Sequence, residues 1–379
     1  MKKRKLKNWV KILFVIILLI ILILLTLLIF NKPSNNKNSE LESLNYNDKS
    51  IIEINKLDIK NKILSNDYNK LIDLSLQKDL FNIDYIDDYF LIKYKNIDDV
   101  IIDINKLLEL NYSGSEIDYI LNKLSKSDIE KLYKYEYISD LKSYLDYKYF
   151  NINNFDRYIE YKKKNDFDYN KIIMNVNMNL DYEFYTNLTT VTNFNYDTML
   201  VNKYNKLPDD YEPNNLVKLS SKYSAVGAKM QDIAASAFEV MASDVEATGM
   251  FIDGVSGYRS KMYQESLYNN YVRHSGIDAA NTFSAKKRHS EHETGLAIDI
   301  RSKSTLYTKF ETTKEYIWIK QNAHKYGFIV RYPKDKEYIT GYKFEAWHLR
   351  YVGIDVATSM FEQDLVLEEY LILNQKQEN

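Results

Sequence analysis

An α+β domain is predicted for the C-terminal half of this chain: a small central antiparallel sheet flanked by helices, preceded by a transmembrane helix and an all-helical region. Three observations predict it. Apolar residues recur at helical spacing up to about residue 181 and again over 230–245, while short strand-like runs come late, between 250 and 352. Nine of the ten glycines lie at Gly227 or later, and all five histidines at His274 or later, so turns and ligand-type side chains gather in one part. The N-terminus opposes a basic cluster to an apolar run.

That run comes first in the chain. Ile12 to Phe30 is apolar except for Thr26 and long enough to span a bilayer. Lys2, Lys3, Arg4, Lys5, Lys7 and Lys11 precede it, so the expected arrangement is a cytoplasmic basic segment over 1–11, an anchor over 12–30 and the remainder outside the cell membrane. A cleaved signal peptide is the competing reading. The run is long for one, and Asn31-Lys32-Pro33-Ser34 lacks a small-x-small cleavage pattern.

Residues 31–40 read as a polar tether. From 41 to 181 there is one glycine, Gly114, and helical spacing such as Ile117, Ile120, Leu121 and Leu124. Ser115 and a Ser127-x-x-Glu130 capping box mark two expected helix starts. This region is predicted as a helical stalk or accessory domain, either packed helices alone or a module that spaces or docks the rest.

The domain over 182–379 is where chemistry is expected. Met230, Ile233, Ala234, Ala237, Phe238, Met241, Ala242 and Val245 form one helix face, with Gly249 as its stop. Strands are predicted at 250–255, 296–300, 328–332, 337–342 and 345–352, the third and fourth joined by a turn at Pro333–Lys336. A further helix carries Gln264. With no cysteine, disulfides and thiolate ligands are excluded; a net charge of -2 gives no footprint for nucleic acid.

Two fragments carry the candidate site. Ser290 to Asp299 offers His292 and Asp299 around Gly295; Glu345-Ala346-Trp347-His348 offers a second imidazole beside a second carboxylate. Two His and one Asp make a three-ligand set for Zn²⁺ with a fourth position for water. Glu345 is then the candidate general base and Arg259 the candidate oxyanion or carboxylate partner. Asp299 ends an apolar strand, where an unpaired carboxylate is costly without a cation. His274, His289 and His324 are expected in loops or on the surface, and Lys286-Lys287-Arg288 as a solvated basic loop.

The pieces Ser256-Gly257-Tyr258-Arg259-Ser260 with Gln264, the run from Ser290 to Asp299, Tyr326-Gly327-Phe328 with Arg331-Tyr332-Pro333, Thr340-Gly341-Tyr342, and Glu345-Ala346-Trp347-His348 with Arg350-Tyr351-Val352-Gly353 fall in one order. In that order the sequence resembles the VanY-type zinc D-alanyl-D-alanine carboxypeptidases of bacterial cell walls. The resemblance implies a zinc D,D-carboxypeptidase-like fold, His292, Asp299 and His348 as zinc ligands, and Glu345 as catalytic base. It also implies Arg259, Gln264 and Ser290 as substrate contacts, with Trp347 shaping the pocket, and peptidoglycan stem peptides as substrate. Two departures stand out: Lys287-Arg288 where the family usually has Pro-Gly, and Ala346 where it usually has Pro. The expected activity is zinc-dependent removal of terminal D-alanine. The alternatives are an L,D-carboxypeptidase acting on tetrapeptide stems and a catalytically silent wall-binding protein.

Overall fold

The computed structural model describes residues 38–303 and 305–374, together with 13, 15–17, 20 and 21. The chain divides into two compact units, Met1–Leu145 and Asp146–Asn379. The expected anchor over 12–30 lies almost wholly outside the described residues, among which no helix is long and apolar enough to cross a membrane.

In the first unit, short helices such as Asp48–Lys56, Lys70–Gln77, Ile101–Glu109 and Gly114–Lys123 bury one apolar face each. Asparagine side chains begin several of them: Asn47 accepts from the Lys49 N–H and Asn69 from the Ile72 N–H, filling donors that the first turn leaves open. Both expected helix starts move back by two residues. Ser113 and Glu116 form the capping box, each side chain accepting from the other's backbone, and Ser125 caps the next helix, so Ser115 and Ser127 lie inside the helices. Gly114 is required by close packing, since a Cβ there would lie 2.1 Å from the Asp88 carbonyl oxygen.

The expected boundary at 181/182 differs from the observed division at 145/146. The stretch 146–181 packs against the C-terminal end: the Tyr149 hydroxyl donates to the Leu373 carbonyl at 3.4 Å, and Met178 shares a buried cluster with Ile339, Val366 and Ile372.

The second unit is the α+β domain. Its elements run α1 (Asp232–Ala247), β1 (Ile252–Ser256), α2 (Lys261–Ser275), β2 (Ala297–Ser302), α3 (Lys314–Asn322), β3 (Phe328–Tyr332), β4 (Glu345–Tyr351), α4 (Ile354–Gln363) and α5 (Leu367–Asn374). The four strands form one antiparallel sheet in the order β1-β2-β4-β3. Helix α1 lays Ala234, Phe238, Met241, Ala242 and Val245 on the core with Ile252, Ile298, Ile300, Phe328 and Leu349 of the sheet. Two residues of the expected helix face depart from it. Met230 is buried from the preceding short strand Lys229–Gln231, and Ile233, in the first turn of the helix, stays 39% exposed.

The strand expected at 337–342 is absent. Glu337–Thr340 is instead a single helical turn, closed by the Gly341 N–H donating to the Glu337 carbonyl at 2.8 Å, with Gly341 in the left-handed region at φ 74°. The strand-forming residue types there, Tyr338, Ile339 and Thr340, serve a turn that buries Ile339 and Thr340, not a ladder.

Candidate metal and active site

Strand register brings the two distant fragments together. Asp299 of β2 is the cross-strand partner of His348 of β4, and Ser256 of β1 is the partner of Asp299 on its other side. His292 arrives from a 3₁₀ turn, Glu291–Thr294, which Gly295 ends at φ 71°. A side chain other than glycine's would be strained at that angle.

The stretch after β1 clamps this turn at two points. The Arg259 N–H donates to the His292 carbonyl at 3.1 Å, and the His292 Nδ1 lies 2.7 Å from the Gly257 carbonyl. A carbonyl accepts only, so His292 carries its proton on Nδ1 and keeps the Nε2 lone pair free. Gly257 fits there because a Cβ would fall 2.2 Å from the Lys229 carbonyl oxygen.

Around Asp299 the donors converge. His292 Nε2 lies 3.3 Å from Asp299 Oδ2, and His348 Nδ1 lies 3.1 Å from Oδ1. One donor atom from each of His292, Asp299 and His348 lies within 4.8 Å of the other two, and all three residues are buried. Two imidazoles and one carboxylate at this spacing fit a tetrahedral Zn²⁺ with an open fourth position. The chemistry of the set agrees: burial alone would raise the Asp299 carboxyl, yet the imidazoles beside it and the Arg259 guanidinium hold it well below the usual carboxylate range. Burial and the Arg259 charge push His292 down to about 4, so it stands neutral. Burial would lower His348 too, but its hydrogen bond to Asp299 and the Glu291 carboxylate close by carry it up to about 9, a proton with which a cation competes.

Glu345 Oε2 lies 3.9 Å from His348 Nδ1, and burial pushes its carboxyl up to about 7, against the pull of His348 and with the push of Asp299. Arg259 reaches the same spot: its Nη2 donates to Asp299 Oδ2 at 2.6 Å and its Nε to Ser256 Oγ at 3.0 Å. These groups line a cavity of about 310 Å³ whose walls include Gln264, Ser290, Trp347 and Tyr307. Gln264 is buried and donates to the Ala285 carbonyl at 2.7 Å, leaving its Oε1 without a partner. Trp347 meets the Tyr307 ring edge to face at 5.4 Å. The eight residues given candidate site roles from sequence all line this one cavity.

Two expectations for neighbouring residues are corrected. His289 is buried, with Nδ1 2.8 Å from the Asn202 carbonyl and its ring against Tyr185. Arg288 is not solvated. It sits at φ 67°, where glycine is favoured, and is held by its N–H on Glu293 Oε1 at 2.6 Å and its guanidinium on Glu293 and the Tyr211 and Asp209 carbonyls. The Lys-Arg pair thus fills the place of Pro-Gly by bonding what glycine would achieve by conformational freedom.

Sequence reasoning gave no role to Glu291, Arg331, Arg350 and Glu368. Glu291 Oε1 accepts from Arg331 Nε at 2.8 Å and from Arg350 Nη1 at 2.9 Å, and Arg331 continues to Glu368 at 2.7 Å. The available signal was an arginine inside each of two apolar strands, which requires a buried carboxylate nearby.

Comparison with known proteins places the chain in a family. The VanY family model, described as D-alanyl-D-alanine carboxypeptidase, matches residues 227–354. "Putative carboxypeptidase YodJ" of Bacillus subtilis (strain 168) is 41% identical over 190 residues, 48% of this chain and 70% of that protein. The "Bifunctional D-Ala-D-Ala dipeptidase and D-Ala-D-Ala carboxypeptidase VanXYC" of Enterococcus gallinarum is 34% identical over 45% of this chain and 91% of its own length. Among solved structures, the LD-carboxypeptidase LdcB is 41% identical, covering 49% of this chain and 90% of that one with a TM-score of 0.45. The described donors and the extent of the curated relatives lead to one assignment: the chain belongs to the VanY family of D-alanyl-D-alanine carboxypeptidases and is a zinc metallopeptidase of that family.

Proposed function

We propose that this protein removes the terminal D-alanine from peptidoglycan stem peptides, with Zn²⁺ held by His292, Asp299 and His348 and with Glu345 as general base. The observation that carries the reading is the convergence of those three donors within 4.8 Å, in the cavity that also holds Glu345 and Arg259. When bound, Zn²⁺ supplies Lewis-acid chemistry, acidifying water and polarising the scissile carbonyl.

The chain's own residues do the rest. Glu345, ionised, takes a proton from the attacking water as the water oxygen bonds to the carbonyl carbon. It returns that proton to the D-alanine nitrogen as the C–N bond breaks. A carboxyl standing near 7 suits both directions of transfer at neutral pH. Arg259 offers its planar fork to the terminal carboxylate or the developing oxyanion. Gln264, with a free Oε1, and Ser290 face the peptide, and Trp347 forms a wall.

The apolar run over 12–30 anchors the protein in the cell membrane with 1–11 in the cytoplasm and the catalytic domain outside; this rests on the run's length and the basic residues before it. Membrane fractionation of the full chain, with protease added from outside, tests it: a catalytic domain that remains protected in intact cells defeats it.

Defined stem peptides test the activity. Release of one D-alanine from a zinc-supplied pentapeptide is expected. Cleavage of the tetrapeptide alone would replace the D,D assignment with an L,D one. Wall retention without turnover of either peptide would leave only a binding role.

A further inference from the structure

The strongest unassigned feature is a pair of buried atoms that face each other. Glu291 Oε1 is committed to Arg331 and Arg350, but its second oxygen, Oε2, has no hydrogen-bond partner. His348 Nε2 has none either, and the two atoms are 3.5 Å apart, longer than a well-formed bond. Both residues are almost fully buried, so no bulk solvent satisfies either atom.

We infer that Glu291 is a positioning residue for His348, accepting a hydrogen bond from its Nε2–H and thereby presenting Nδ1 as the ligand atom. This rests on the zinc reading above. Nδ1 is the nitrogen turned toward Asp299, at 3.1 Å, and toward Glu345, at 3.9 Å. A neutral imidazole that gives its Nδ1 lone pair to a cation must carry its proton on Nε2, and the atom waiting there is a carboxylate oxygen. The tautomer is thus chosen from behind, as the Gly257 carbonyl chooses the opposite tautomer for His292.

Glu291 is itself fixed. Arg331 and Arg350 take its other oxygen, and Arg331 is held from the far side by both oxygens of Glu368 on α5, at 2.7 and 3.0 Å. The brace runs from the C-terminal helix, through β3, to the metal-binding imidazole.

Glu291→Gln and Glu368→Gln each neutralise one carboxylate of the same arginine cluster, so both are expected to lower the melting temperature. Only Glu291→Gln should also weaken Zn²⁺ binding, by about 10–100-fold in a chelator competition, and move the visible bands of the Co²⁺-loaded protein. A folded Glu291→Gln with parental Zn²⁺ affinity and Co²⁺ spectrum overturns the inference, as does an equal loss in Glu368→Gln. Where Glu291→Gln fails to fold, the unaltered zinc-loaded chain decides by histidine ¹⁵N spectroscopy: His348 should show a metal-bound Nδ1 and a slowly exchanging Nε2–H, and the reverse pattern overturns the inference. Finding the expected pattern in a protein that releases no D-alanine would sink the proposed activity and leave Glu291 in its role.

Discussion

Arg259 Nη2 donates to Asp299 Oδ2 at 2.6 Å, so the guanidinium that lines the cavity is bonded to the carboxylate on which the two imidazoles converge. Both side chains are largely shielded, and Arg259 is further steadied by Ser256. The guanidinium therefore approaches the reacting centre with its orientation already set, and little rotamer freedom remains to be lost on binding.

Arg259→Lys should separate charge from shape. Lysine keeps one positive charge but loses the fork that serves Asp299, Ser256 and a substrate oxygen together. We expect kcat/KM to fall about 10²–10³-fold, the scale of one lost transition-state donor, with zinc content unchanged by elemental analysis. Parental kcat/KM in the lysine variant would remove Arg259 from the reaction.

Glu345→Gln should retain zinc and lose about 10²–10⁴-fold in kcat, the range of general acid–base help. The parental enzyme should show an acid limb in kcat/KM. Burial raises the Glu345 carboxyl to about 7, and a base must be ionised, so the rate falls as pH drops through that region. A bound cation favours the carboxylate, which places the limb at or below about 7. A pH profile flat from pH 5 to pH 8 contradicts the assignment.

How much of this was readable from sequence follows from what each element depends on. The convergence of His292, Asp299 and His348 was legible because ligand chemistry restricts residue type, and three such residues stood in two short fragments. The helix α1 face and four of five strands were legible from period and turn signals. What failed depended on conformation and contacts that residue pattern alone does not carry. The turn at Glu337–Thr340 is built from strand-forming residue types, Tyr338, Ile339 and Thr340, and Gly341 at its end marks it as a turn. Arg288 and His289 read as surface residues, because Glu293, Tyr211 and Asn202, which bury them, could not be placed without the fold.

Removing the metal should expose the cost of the converged donors. Melting the protein with and without a chelator measures it, since a ligand at about 1,000 times its Kd adds about 4 kcal/mol of stability. Restoring Zn²⁺ should recover both melting temperature and activity. Identical melts with and without chelator would mean that the triad binds no ion.

Gly257→Ala tests the backbone side of the site. The new Cβ would stand 2.2 Å from the Lys229 carbonyl oxygen, a backbone atom that cannot step aside alone. The expected loss is about 1–3 kcal/mol in a denaturant midpoint, with weaker Zn²⁺ binding because the carbonyl that fixes His292 moves. Undiminished Zn²⁺ affinity would show that His292 needs no such fixing.

Arg331→Met removes a fully buried guanidinium and leaves Glu291 and Glu368 short of a counter-charge. About 3–5 kcal/mol of destabilisation is expected, the usual result of breaking a buried pair from one side. Chemical denaturation reads it directly, and an unmoved midpoint would mean the cluster contributes no stability.

The ladder pairing of Asp299 with His348 has a consequence for how this family can vary. Because neighbouring strands set that adjacency by their own hydrogen bonds, the intervening 48 positions are free of any duty to measure the distance between the two ligands. Loops can lengthen, shorten or change composition there, and the walls of the cavity can be refitted, while Asp299 and His348 stay side by side.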